Sequence, residues 1–378
     1  MSLGKHYRLA ILTVLAGCVG IGGAAAATTE LNASVGTGPK HPVTKLGWEP
    51  FVEAVKTQSG GDIAIKAIYG GALCGLAATA NCIKSGAADA GFVIMAYTPA
   101  EFPHGKLLND LALLGHTAQA MAGATTEFNL LHCADCMAEF TAQKIVYTGA
   151  FGTSPYHIIS KGAINSLAEI KGKKLRSGGG SWNRLMAHLG AVASTVPGDD
   201  IFSALSKGMV DGTISSPSNI ISWSLLDVVT DVSLIKLGTF NSTSVFNVNL
   251  DRWGRIPLEH RRILMANVPA IMAGPTIGYV LEGDHALAEA KKHNIRVREP
   301  DPAFAQAVAA FAVDDVKVIV AEAEGKGLKN VAGKIAQFRA LIDAWEKKTA
   351  DVGIDDRKLA AIYQREIFDR LDIAKFGM

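Results

Sequence analysis

This 378-residue chain lacks any excess of charge, with 37 Lys and Arg against 35 Asp and Glu, and no basic tract runs through it. Nucleic acid and anionic lipid therefore have no electrostatic reason to bind, and both are set aside as partners. The G-x-S-x-G elbow of a serine hydrolase is missing as well, because Gly179-Gly180-Ser181-Trp182-Asn183 lacks its final glycine. Beyond the N-terminal leader there is no run of about 18 apolar residues, so the exported body is expected to be soluble, without direct membrane insertion. No solenoid-period repeat and no low-complexity linker interrupts it. Cysteine is scarce, at five residues. A c-type haem is excluded because Met137, not His, follows Cys136, and a zinc site because only His132 lies near the Cys133 and Cys136 pair. No cofactor or metal is expected. The acidic pairs Asp199-Asp200 and Asp314-Asp315 fall in caps or helices, where they cap or solvate rather than catalyse.

The leader is informative. Lys5 and Arg8 precede an apolar run from Leu9 to Gly17, and Ala24 to Ala27 offer a small-residue cleavage site, so residues 1–27 read as a secretory signal peptide. Cutting after Ala27 removes two positive charges and leaves 35 of each sign. A second reading stays open: Leu15-Ala16-Gly17-Cys18 matches a lipobox, which would anchor the same body to a membrane through Cys18. The other four cysteines are expected to form two disulfides in an oxidising compartment. The local pairing is Cys74 with Cys82 and Cys133 with Cys136, although sequence allows three connectivities. Cys133-Ala134-Asp135-Cys136 has thioredoxin-like spacing, but its setting, LLHCADCMAEF, reads as apolar helix. Redox pairs sit instead at strand-to-helix junctions that lower the thiol pKa, so a structural bridge is expected.

Period and turn signals give an α/β order. Glu30 to Val35 reads as a strand, Val43 to Thr57 as a helix ending at Ser59-Gly60-Gly61, and Asp62 to Tyr69 as a second strand. A short helix closing at Ser85-Gly86 leads to an apolar strand over Ala88 to Ala96, and further strands follow at Lys144 to Gly149 and Tyr156 to Ser160. From Asp251 onward the pattern is helical, with amphipathic stripes that read as core faces. A chain this long exceeds one growing core. The expected division is residues 28–150 as a first α/β lobe, 151–250 as a second, and 251–378 as a helical segment bracing both.

One arginine stands out within Ser166 to Gly212. Lys173 to Leu175 read as a strand whose exit carries Arg176, followed by Gly178-Gly179-Gly180 and a helix from about Ser181. Open α/β sheets bind ligands at the C-terminal edges of their strands, and a planar guanidinium takes a carboxylate through two parallel hydrogen bonds.

Taken with His41-Pro42, Gly60-Gly61, the stretch Leu73 to Val93 containing CIKSGAADAGFV, Ala96-Tyr97-Thr98-Pro99, Phe102-Pro103, SLAEIKGKKLR, Leu189-Gly190-Ala191, ALSKGMVDG, Trp253 and Ile256-Pro257, the chain resembles the periplasmic solute-binding proteins of tripartite ATP-independent (TRAP) transporters, DctP-type. The resemblance implies a two-lobed periplasmic binding-protein fold with a helix-rich C-terminal part. It implies capture of a small organic acid in the cleft and its delivery to TRAP membrane subunits. Arg176 matches the family's carboxylate-pairing arginine. Where many members carry a second arginine this chain has Tyr156 or His157, and Ser216 stands at a family asparagine. A monocarboxylate is therefore expected over a dicarboxylate. Tyr97, Trp182 and Phe240 are expected as aromatic walls, with His41, Asn219, Trp48 and Trp223 as further candidates. The rival readings are a lipid-anchored sensor or receptor and an exported thiol oxidoreductase or hydrolase.

Overall fold

The computed structural model describes Met1 and residues 28–378. The signal-peptide reading and Cys18 lie outside the described residues. Among the described residues eleven strands fall in chain order: β1 Thr29–Ser34, β2 Ile63–Ile68, β3 Ala90–Ile94, β4 Ile145–Tyr147, β5 His157–Ser160, β6 Lys174–Ser177, β7 Val192–Thr195, β8 Gly212–Ser215, β9 Asp231–Ser233, β10 Thr243–Asn249 and β11 Arg296–Arg298. They form two sheets, ordered β2-β1-β3-β10-β4 and β11-β9-β5-β8-β6-β7. Burial explains the strand sequences. The central strands β3, as AGFVI, and β10, as TSVFNVN, are covered on both faces and are buried throughout, whereas the edge strand β2 alternates buried with exposed positions at its start.

The sheets correct two sequence-based boundaries. Thr243–Asn249 was expected in the second lobe, but it pairs antiparallel with β3 and β4 of the first sheet. Arg296–Arg298 was expected in a helical segment, but it pairs parallel with β9 in the second. The chain therefore passes between the sheets three times: through residues 148–156, through residues 234–242, and along the helix Val268–Lys292. That helix runs on through Pro275 and crosses its neighbours closely. A Cβ on Gly274 would lie 1.9 Å from the Leu46 carbonyl oxygen, so only glycine fits against the turn Val43–Trp48. The helical run Leu258–Lys292 is long and apolar enough to cross a membrane by composition, yet most of its apolar window is buried inside the protein. It is a core helix.

The remaining helices tie onto both sheets' layers. Arg184, on the helix Ser181–His188, donates to both carboxylate oxygens of Asp315 at 2.7 and 2.8 Å, engaging the helix Pro302–Gly325. Trp345 Nε1, on the helix Val331–Thr349, donates to Glu127 Oε2 at 2.8 Å beside the first sheet. Both disulfides have the local pairing, Cys74–Cys82 and Cys133–Cys136. The setting of the second differs from the sequence reading. The helix does not run through the motif: Cys133 is non-helical at φ −132° and ψ 81°, and it opens the helix Ala134–Ala142. Both of these cysteines are nonetheless buried, which suits a structural bridge. Trp48 is fully buried against Phe51 and Phe246 and belongs to the first lobe's core.

Candidate functional site

Between the two sheets lies a cleft lined by residues of both lobes. Arg176 reaches it from β6 at the C-terminal edge of the second sheet, and the turn behind it is glycine for a steric reason. Gly180 has φ +60°, and a Cβ there would meet Asn109 Nδ2 and Asp110 Oδ1 at 2.7 Å, so the helix Ser181–His188 starts close against the first lobe. Arg176 is only 3% exposed. Its Nε donates to the Val196 carbonyl at 2.7 Å and its Nη2 to Tyr97 Oη at 3.1 Å. Among the described residues no carboxylate lies within ion-pairing distance of it, while the molecule's other ion pairs are found elsewhere. A buried cation whose partners are all neutral is costly unless an anion joins it.

Tyr97 crosses from the first lobe, on the single turn Met95–Tyr97 that follows β3. Its hydroxyl oxygen accepts from Arg176 and from the Gly198 backbone N–H at 3.0 Å. Both lone pairs are then used, so the hydroxyl proton is left to donate into the cavity. Burial raises the Tyr97 pKa, with Arg176 the largest opposing influence. The group stays a donor.

A second polar cluster sits on the same wall. His41 is buried, and burial followed by repulsion from Lys45 lowers its pKa to about 3. The neutral ring's tautomer is assigned by its neighbours: Nδ1 accepts from the Val43 N–H at 3.2 Å, so Nε2 carries the proton and donates to Tyr279 Oη at 3.0 Å. Tyr279 comes from the helix Val268–Lys292 and stacks on Phe151 at 5.6 Å. Its own proton is again free to point into the cavity. Trp223 packs over His41 at 5.1 Å.

The cavity wall includes six of the sequence-based candidates: Arg176, Tyr97, Tyr156, His41, Asn219 and Phe240, together with Trp223. Tyr156 and Phe240 lie parallel at 6.0 Å on the two segments that connect the lobes. Two candidates are placed elsewhere. Trp182 is fully buried behind them, stacked on Tyr156 at 4.9 Å with Nε1 donating to the Leu237 carbonyl at 2.7 Å. Ser216 is fully buried among Ser154 and Ser218, and the amide on the wall is Asn219, three residues on, held by Ser215 and Ser222. His157 turns away to the Ile235 carbonyl. Sequence reasoning missed Tyr279, Phe92 and Phe151. The signal for Tyr279 was a hydroxyl-tipped ring beside Gly278 at the end of the helix's apolar first half. Among the described residues, Arg176 is the only charged side chain that lines the wall. The arrangement presents one cation, hydroxyl donors and aromatic faces, which can hold an anion attached to a ring.

Two α/β lobes closing on one cleft from strand edges define a two-lobed solute-binding protein. The chain belongs to the DctP family, bacterial extracellular solute-binding protein family 7, whose model matches residues 33–322. Its fold is that of TRAP solute-binding proteins. One solved example, from Rhodoferax ferrireducens T118 in complex with copurified benzoate, is 22% identical over 85% of this chain and 100% of that one, with a TM-score of 0.76. Another, from Bordetella bronchiseptica with bound (R)- and (S)-mandelate, is 21% identical over 84% of this chain and 99% of the other, with a TM-score of 0.72. A third, from an unidentified microbe in a marine metagenome and in complex with 3-hydroxybenzoate, is 20% identical over 84% and 99%, with a TM-score of 0.76.

Proposed function

We propose that this protein captures a small aromatic monocarboxylate outside the cytoplasm and hands it to the membrane subunits of a TRAP transporter. The observation that carries this reading is Arg176: a guanidinium 3% exposed, with neutral hydrogen-bond partners only, beside a Tyr97 hydroxyl that accepts two bonds and keeps its proton to donate. A ligand carboxylate supplies the missing anion and takes both donors. Tyr156, Phe240, Phe92 and Phe151 line the remainder with flat apolar surface, and the Tyr279 hydroxyl favours a ligand with a second acceptor. A dicarboxylate would bury one charge without a cation, since no second Lys or Arg lines the wall among the described residues. The solved relatives described as holding benzoate, mandelate and 3-hydroxybenzoate support the same ligand chemistry.

The site residues act as binding groups. His41, the only imidazole on the wall among the described residues, has a pKa of about 3 and its Nδ1 lone pair occupied, so it is a poor general base near neutral pH. The two sheets act as the jaws, with residues 148–156 and 234–242 and the helix Val268–Lys292 as the hinge segments. A panel of mono- and dicarboxylates screened by thermal shift tests the reading, because a ligand that binds only the folded state raises its apparent stability. Aromatic monocarboxylates are expected to give the largest shifts. A panel in which no carboxylate shifts the protein contradicts it.

A further inference from the structure

At the rim of the cleft the loop Cys74–Leu76 of the first lobe faces the turn Gly198–Asp200 of the second. The Leu76 backbone N–H donates to Asp199 Oδ2 at 3.2 Å across the gap. Leu76 and Gly198 both line the cavity, so this contact shuts directly beside the ligand space. The loop itself is immobilised on the first lobe. Its Cys74 carbonyl accepts from Ser34 Oγ at 3.2 Å, its Gly75 carbonyl accepts from the Ala78 N–H and the Thr79 hydroxyl at 3.0 Å each, and the Cys74–Cys82 bridge ties it to the helix Thr79–Ser85. Gly75 is shaped to the opposite lobe. A Cβ added there would meet one atom within 4 Å, Asp199 Oδ2 at 3.1 Å. Asp199, expected from the sequence to cap or solvate a helix start, is instead the one acid that reaches this loop across the cleft among the described residues. A carboxylate that accepts a backbone N–H makes a stronger bond than a neutral acceptor does.

We propose that Asp199 and the disulfide-pinned loop Cys74–Leu76 form a latch that holds the lobes shut and sets how long a bound ligand stays. Asp199 is a positioning residue: it touches no ligand, and it acts by favouring the closed arrangement that brings Arg176 to Tyr97. The Cys74–Cys82 bridge serves to present the Leu76 N–H in a fixed place. This inference rests on the carboxylate-binding reading for its ligand, but the latch itself is a contact of the protein alone.

The test is the dissociation kinetics of benzoate, followed by the change in intrinsic tryptophan fluorescence, to which Trp223 in the cavity wall contributes. Asp199→Ala and Gly75→Ala are each expected to raise the dissociation rate about five- to tenfold, with association within about twofold of wild type. The double variant is expected to dissociate no faster than the faster single, because both changes break one contact. Cys74→Ser with Cys82→Ser is expected to move the rate in the same direction and to add nothing to Asp199→Ala. Gly75→Ala keeps the bridge intact, so it carries the test if the serine pair fails to fold. Unchanged dissociation in Asp199→Ala, or effects that multiply in the double variant, would overturn the latch. Hydrogen exchange at the Leu76 amide without added acid reads the same bond independently of any ligand. Faster exchange in Asp199→Ala supports the latch even where benzoate fails to bind, an outcome that would count against the carboxylate reading alone; equal exchange overturns the latch.

Discussion

The two polar clusters of the cavity wall differ in charge and in how they are assembled. Arg176 and Tyr97 belong to different lobes and meet across the cleft at 3.1 Å. His41 and Tyr279 are joined by a hydrogen bond between two neutral groups, and the helix that carries Tyr279 packs against the turn that follows His41. The first cluster is therefore assembled from both lobes, whereas the second joins the first lobe to the long helix packed on it. Affinity should depend on the first cluster and discrimination among ring substituents on the second, because a neutral hydrogen bond contributes about 1 kcal/mol while an unpaired buried charge costs several.

The largest expected effect follows from the cation. Arg176→Ala should weaken binding of the cognate acid by at least ~100-fold in calorimetry, and Arg176→Lys should recover little, since an ammonium lacks the planar two-pronged geometry. Tyr97→Phe comes next. It leaves Arg176 Nη2 and the Gly198 N–H without their shared acceptor, for an expected loss of about 2 kcal/mol, or roughly 30-fold, by the same titration. An equal loss on replacing Tyr279 would erase the distinction between the clusters.

His41 separates them through pH. Its pKa is depressed in the folded protein to about 3, from 6.5, so the unfolded chain binds the proton more readily and acid favours unfolding. The stability this group contributes is complete above pH 6.5 and is lost progressively as pH falls toward 3. Between pH 6.5 and pH 5 the loss should be roughly 1.5 kcal/mol. Denaturant titrations of wild type and His41→Gln should show that slope in the former and a flatter one in the latter. Parallel curves would mean that His41 is not held neutral. The smallest effect is expected for Tyr279→Phe, about 1 kcal/mol against acids that carry a second acceptor and close to none against plain benzoate.

Much of the architecture was legible in the sequence because local chemistry carried it. The β-α-β opening, the helix start at Ser181 and the strand that delivers Arg176 all follow from periodicity and turn glycines within a few residues of each other. The lobe boundary was not legible that way. Thr243–Asn249 reads as a strand anywhere, and only its antiparallel pairing with β3, about 150 residues away in the chain, decides its sheet. The site divided along the same line. Arg176 and Tyr97 stand at strand ends, with the family resemblance weighing for Arg176, whereas Tyr279 reaches the cavity from a buried helix, and its hydrogen bond is to His41, 238 positions away. Trp182 was expected in the wall from its position and Ser216 from the resemblance, but both are buried, Trp182 behind Tyr156, and Tyr156 and Asn219 line the wall.

The central claim is that the Arg176 guanidinium recognises the ligand's carboxylate. Calorimetry on wild type and Arg176→Ala, each titrated with the best aromatic monocarboxylate and with its uncharged carboxamide, measures that pairing directly. The account predicts that wild type prefers the acid by at least ~100-fold and that Arg176→Ala loses most of this preference. If Arg176→Ala keeps the full preference for the acid over the amide, the carboxylate is bound elsewhere and the account fails.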